Sequence, residues 1–260
     1  MIQALTTAAT GLEAQQMKIA NIANDLANVN TDGYKRAATE FQDLMYETLQ
    51  EPGTALGENA QTPVGVQVGM GVKIGASHKI FEQGPTKMTY NPLDVMIEGD
   101  GFFQVQTPQG EMRYTRSGTF HVDAHGVVQL RGGAKLIPQI VIPPGSANIV
   151  FGKTGEVRAT LPGQGETVLG QLQIAQFQNQ QGLLSQGEGL MKPTLASGPP
   201  LEGLPGDNGS GTLLQGALEA SNVNVANSMV DMISAQRAYE MGTKVMSAVD
   251  QMLGATVNIK

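Results

Sequence analysis

Residues 5–29, LTTAATGLEAQQMKIANIANDLANV, and residues 225–253, VANSMVDMISAQRAYEMGTKVMSAVDQML, decide how this chain is read. In the first stretch Leu5, Leu12, Ile19 and Leu26 recur every seven residues, and Ala8, Gln15, Ile22 and Val29 follow three places behind. In the second, Val225, Met232, Tyr239, Met246 and Leu253 keep the same interval, which extends back to Leu218. A seven-residue repeat holds a narrow apolar stripe on one side of a helix, the seam of a coiled coil. One helix is predicted over 3–28, roughly 40 Å long at 1.5 Å per residue. It stops at Asn30-Thr-Asp-Gly33, where Asn, Asp and Gly favour a turn. The other is predicted from Asn222–Asn224, capped by Ser221 or Asn222, to Leu253, roughly 45 Å. A chain that opens and closes in this way can pair its own termini or offer them to neighbouring copies. The pattern points to assembly rather than catalysis.

Between the ends the chain is glycine-rich and strand-like. Phe41, Leu44, Met45 and Leu49 fall at helical spacing and predict a short second helix over 36–49, ended by Glu51-Pro52-Gly53. From 53 to 92, Gly57, Pro63, Gly65, Gly69, Gly71 and Gly75 punctuate alternating valines, the pattern of an extended hairpin or arm. Residues 93–200 carry short β runs at regular spacing, among them Val95–Ile97, Phe102–Val105 and a hairpin turning at Asp123-Ala-His-Gly126. They predict an all-β sandwich or small barrel. The expected architecture is α+β: paired coiled-coil terminal helices, an extended β-arm and an all-β central domain. Its parts are an N-terminal helix over 1–32, a connecting helix and arm over 33–92, the β domain over 93–200, a linker over 201–221 and a C-terminal helix over 222–260.

Composition narrows the function classes. Charged residues make up 15% of the 260, below the usual figure of about 25%, so much of this surface is expected to meet other protein. The net charge is −7 and no basic cluster is present, which disfavours a nucleic-acid partner because phosphate neutralisation needs a Lys/Arg stripe. Cysteine is absent, excluding disulfides and zinc–thiolate sites. The start, Met1-Ile-Gln-Ala-Leu5, has neither a basic segment nor a continuous apolar run, so export without a cleaved signal peptide is expected. No stretch approaches the roughly 20 apolar residues of a membrane span, and no direct membrane insertion is expected.

Candidate chemistry is sparse. His121 and His125 flank a hairpin tip, without a third ligand at a recognisable interval; two polar turn residues explain them as well. Asp94, Glu98 and Asp100 cluster as a glycosidase pair would, but Asp100 sits in a Gly-Asp-Gly turn where Asp commonly bonds its own backbone. Gly69-x-Gly71 lies between strand-like runs rather than opening a helix, so it reads as turn chemistry and not a phosphate loop. No Gly-x-Ser-x-Gly nucleophile elbow is present. No catalytic, cofactor-binding or metal residue is assigned.

The polar residues within the helices say more. Asn21, Asn24 and Asn28 share one helical face. They form either a solvated face or an amide ladder that fixes register across subunits. Gln236, Arg237 and Glu240 offer an amide and an i,i+3 charge pair, as a surface salt bridge or an interface contact. Met229, Met232, Met241, Met246 and Met252 read as core or seam fillers.

Asn24-Asp-Leu-Ala-Asn28-Val-Asn-Thr-Asp-Gly33-Tyr-Lys-Arg36 resembles the N-terminal signature of bacterial flagellar rod and hook axial proteins. Ser221-Asn-Val-Asn224, Met229-Val-Asp-Met-Ile and Gln236-Arg-Ala-Tyr-Glu240 resemble their C-terminal signature. Gly99-Asp-Gly-Phe-Phe103, Tyr114-Thr-Arg-Ser-Gly118 and Phe120-x-x-Asp123 resemble the β domain of that family. The length, the segment from Phe41 to Val72 and Leu218-Glu-Ala-Ser-Asn222 are similar to its distal-rod branch. Asp25, Asn227-Ser228 and Gly242 depart from the family pattern, and Gly242 is expected to soften the last helix.

The resemblance implies a self-assembling structural subunit whose terminal helices form an inner tube, with the arm and β domain outside it. Identical copies would add head to tail into an open, hollow helical shaft carrying torque from motor to hook. It implies a homo-oligomer, with proximal rod subunits, hook or hook-junction proteins and the surrounding outer-membrane and peptidoglycan ring proteins as partners. The location implied is the periplasm-spanning rod of the basal body. The self-assembly interface is expected at Leu5, Leu12, Ile19, Asn24, Leu26, Asn28, Val225, Met232, Arg237, Tyr239, Met246 and Leu253. The alternatives are a sibling axial protein, a secreted β-rich hydrolase acting on cell wall through Glu98 and Asp100, and an adhesin with coiled-coil ends.

Overall fold

A computed structural model describes residues 2–52, 55–57, 60–61, 64–161, 165–207 and 209–257. Gly53 and Pro63 of the expected arm, with Met1 and residues 258–260, lie outside the described residues. The fold is α+β, and the chain divides into two units. One comprises Met1–Leu26, Ala37–His78 and Val225–Lys260; the other comprises Ala27–Arg36 and Lys79–Asn224.

In the first unit, helix α1 spans Ile2–Ala27 and helix α2 spans Val225–Val257, each of good helix formers without an internal proline. The expected helix over 36–49 is absent. Ala37–Asp43 is a strand that pairs with Val72–Lys79, and Tyr46–Gln50 pairs antiparallel with Val66–Gly69. The helical spacing of Phe41, Leu44, Met45 and Leu49 is coincidental, since no core receives such a stripe: Met45 and Leu49 are well exposed. The β-forming Thr39, Phe41, Tyr46 and Thr48 instead find partners across two ribbons. The turn between the strands is closed by Leu44 N–H to Gly71 O (2.9 Å) and Met70 N–H to Met45 O (3.3 Å).

The ribbon lies along a polar face of α1. Asn21 Nδ2 donates to Thr39 Oγ1 at 2.6 Å, Val72 N–H donates to Thr10 Oγ1 at 3.3 Å, and both carboxylate oxygens of Asp25 accept from Ala37 N–H at 3.1 Å. Asp25 is buried and accepts from the first donor of the strand Ala37–Asp43.

Among its described residues the second unit is built of β-strands, with one short 3-10 turn at Gln180–Gly182. Its nine-stranded sheet is built around Phe102–Gln106, which is flanked by Met112–Thr115 on one side and by Lys135–Ile137 and Ile174–Gln176 on the other. The alternation of this strand explains the core. Phe103 and Val105 enter a large cluster with Val95, Phe120 and Leu136, whereas Phe102 enters a second with Tyr114 and Phe177. Ring edges meet faces in both: Phe103 with Phe120 at 5.2 Å and Tyr114 with Phe177 at 4.8 Å. Full burial of each such ring is worth about 1.5–3 kcal/mol.

The segment expected to be a linker is instead structured. Leu201–Gly203 pairs with Ile174–Gln176, Thr212–Gln215 with Val95–Glu98, and Ala217–Glu219 with Thr86–Met88. Glycine and proline there make turns between strands rather than a flexible tether. Leu218 accordingly belongs to a strand, 4% exposed, and not to the C-terminal heptad.

Candidate assembly interface

The expected seam residues of α1, Leu5, Leu12, Ile19 and Leu26, are all half-buried, and so is the companion series Ala8, Gln15 and Ile22. On α2, Met232, Met246 and Leu253 are half-buried, while Val225, Arg237 and Tyr239 are exposed. The residues most buried on α2 belong to a series the sequence reading missed. Ala235 and Val249 are buried and Ser228 and Gly242 half-buried, again at intervals of seven. Small side chains carry little hydrophobic signal, so the interval was there but the pattern was not.

Gly242 shows what small residues allow. A Cβ placed on it would stand 2.7 Å from Leu12 Cδ2, so an added methyl would press on the end of the Leu12 side chain where α1 and α2 meet. The residue expected to soften the helix is a notch for Leu12.

Asn24 is exposed, and Asn28 Oδ1 accepts from Thr31 Oγ1 at 3.2 Å at the end of α1. Asn21 serves the ribbon of its own chain. Arg237 and Glu240 make no ion pair with each other. Beside the packed series, α2 exposes Met229, Val230, Ile233, Met241, Val245 and Met252.

In the second unit the signature motifs of both ends converge on one buried charge cluster. Lys35 Nζ lies 2.5 Å from Glu219 Oε1 and donates to Glu82 O at 2.6 Å. Gly84 N–H donates to the same carboxylate at 2.9 Å, and Arg116 Nη1 lies 3.7 Å from its other oxygen while donating to Gly99 O at 2.8 Å. All three charged side chains are essentially without solvent contact. Burial, with the cation of Arg116 adding to it, holds the Lys35 ammonium below its ordinary value of 10.5 against the pull of Glu219. Burial likewise lowers Arg116, opposed by Glu219 and Asp100. Gly33 donates its N–H to Glu219 O at 2.7 Å with φ +75°, and a Cβ there would meet Ser117 N at 2.8 Å. Only glycine fits that turn.

Of the carboxylates weighed for hydrolysis, Asp94 is tied into its own turn. Asp94 is buried, accepts from Asn91 Nδ2 at 3.0 Å and offers its carbonyl to Gly216 N–H at 2.8 Å; Glu98 and Asp100 are exposed. Among the described residues no group of three His, Cys, Asp or Glu side chains could hold a metal ion, and no helix is long and apolar enough to cross a membrane.

Three stretches match known families: residues 5–35 the flagella basal body rod protein, 96–159 the flagellar hook protein FlgE/F/G D1 domain, and 214–259 the C-terminal region of flagellar basal body rod FlgEFG proteins. Over its full length the chain is 44% identical to the flagellar basal-body rod protein FlgG of Borreliella burgdorferi, covering 100% of this chain and 99% of the relative. It is 43% identical to that of Caulobacter vibrioides, covering 100% of both. The chain belongs to the flagellar basal-body rod protein family. It is a structural subunit of the distal rod. In this chain the charge cluster joins all three matched stretches, through Lys35, Arg116 and Glu219. It is 46% identical to the FlgG of Buchnera aphidicola subsp. Schizaphis graminum, covering 97% of this chain and 98% of the relative.

Proposed function

We propose that the rod subunit polymerises through its terminal helices into a hollow helical drive shaft that carries torque from the motor to the hook. The observation that carries this reading is the exposed apolar surface of α2. Met229, Ile233, Met241, Val245 and Met252 are 50% or more exposed, beside a packed series on the same helix. A helix that is apolar beyond the face it packs is a surface for further protein. Val225, Arg237 and Tyr239 would complete that contact, and Leu5, Leu12, Ile19, Leu26, Met232, Met246 and Leu253 the inner seam. Asn24 and Asn28 would set register where neighbouring helices meet.

Proximal rod subunits, hook or hook-junction proteins and the surrounding rings are the partners this reading carries, with export that leaves the N-terminus intact. The role is structural, without catalysis. Complementation of a strain lacking the subunit tests the reading. Leu12→Asp and Met246→Asp place a charge in the seam and are expected to abolish rod formation and motility. Wild-type rod yield in either variant would sink it.

A further inference from the structure

Helix α1 has three faces, and two of them are occupied within the chain. Leu5, Leu12, Ile19 and Leu26 lie half-buried on the first, where Leu12 meets Gly242 of α2. Thr10, Asn21 and Asp25 bond the ribbon from the second. The third carries Thr6, Ala9, Glu13, Gln16, Ala20 and Ala23, spaced alternately three and four apart and all exposed. That spacing keeps them in one stripe along the helix. Helix α2 has a stripe of the same spacing beside its packed series. Ala238, Met241, Val245, Ala248 and Met252 follow it, and all but the half-buried Ala238 are exposed. At about 100° per residue, Arg237 and Lys244 fall along the edge of this stripe away from the packed series, and both are exposed. Among the described residues the side chains of Glu13, Arg237 and Lys244 form no hydrogen bond or ion pair.

We propose that the third face of α1 seats the exposed α2 stripe of a second copy, with Glu13 of one chain paired to Lys244 of the next. The contact rests on the reading that the terminal helices polymerise, and names the faces that meet. Charge decides the occupant. The α1 stripe carries one carboxylate and no cation, whereas the α2 stripe is edged by two cations. Joining α1 to α1 or α2 to α2 would set like charges together, and only the mixed contact sets Glu13 against Lys244 and Arg237. Size agrees with charge. The alanines of one stripe leave room for the long, adaptable Met241 and Met252 of the other. Height agrees as well. Because Leu12 lies against Gly242, Glu13 and Lys244 stand within one helical turn, roughly 5 Å, of the same level, so a copy set alongside brings them opposite. A contact between two different faces is heterologous and leaves one of each free at the ends, as an open filament requires.

The chain has no cysteine. Copies carrying only Glu13→Cys can therefore be produced with copies carrying only Lys244→Cys in a strain lacking the subunit. A short bismaleimide added to the isolated rods is expected to join one copy of each kind. With Asp250→Cys, exposed on another side of α2, in place of Lys244→Cys, that product is expected to be lost. No cross-link between positions 13 and 244 in assembled rods, or as much from the control, overturns the proposal. If the cysteine chains do not assemble, a charge swap decides. Glu13→Lys and Lys244→Glu are each expected to lower the number of rods per cell about tenfold by setting like charges together. The two combined are expected to restore it to within about twofold. Failure to recover overturns the proposal in that case. Rods formed by Leu12→Asp would instead overturn the reading beneath it, while the cross-link still decides this contact.

Discussion

Lys35 and Glu219 stand 184 positions apart in sequence and meet at 2.5 Å, with neither side chain reaching solvent. The pair is unbalanced, since Arg116 approaches the same carboxylate. Glu219 therefore serves two cations, and the three positions are not equivalent. Loss of one partner from a buried pair costs about 3–5 kcal/mol because an uncompensated charge stays inside. Glu219→Leu leaves both Lys35 and Arg116 without their anion and is expected to reach that range in urea unfolding. Lys35→Met leaves Glu219 with Arg116 and is expected to cost less. The reverse order would contradict the arrangement.

The lowered pKa of Lys35 gives a pH dependence of definite sign. Between its folded value and the ordinary 10.5, the unfolded chain binds more protons than the folded one. This lysine therefore adds stability as the pH rises through that interval. Side-chain NMR is expected to show Lys35 losing its proton below the ordinary lysine range. The corresponding rise in stability should be absent from Lys35→Met.

At Gly242 two effects of one methyl group oppose. An alanine gains about 1 kcal/mol of helix propensity but pushes on Leu12. In a Leu12→Ala background the push is gone. Gly242→Ala is therefore expected to be more favourable there than in the parent by about 0.5–3 kcal/mol, the usual coupling of residues in contact. Thermal unfolding followed by helix ellipticity measures the cycle, and additive effects would show that the notch is not a contact.

The ribbon of Tyr46–Gln50 with Val66–Gly69 exposes Tyr46, Leu49 and Val66. Charged substitutions at Leu49 and Val66 are expected to leave the single chain's stability within about 0.5 kcal/mol, as exposed sites do. If the arm stiffens contacts between neighbouring subunits, the same variant forms rods that bend more easily under electron microscopy. Unchanged rigidity would remove the arm from that role.

Much of α1 was legible in the sequence because its repeat uses large apolar side chains. On α2 only half the packed face was visible, since Ser228, Ala235 and Gly242 pack by being small. Leu218 kept the seven-residue interval yet lies in a strand, where pairing with Lys87 overrides the helical pattern. The segment 36–49 misled for a related reason: a short apolar run fits either period until its partners are known. Lys35, Arg116 and Glu219 stood inside recognisable motifs. Their joint role depends on contacts between residues far apart in the chain, which no local spacing reveals.

The central claim, assembly through the terminal helices, is tested most directly by electron microscopy of the purified full-length protein beside a chain lacking 1–30 and 222–260. Straight hollow filaments from the full-length chain alone are the predicted result. Filaments from both, or single globular particles from both, would contradict it.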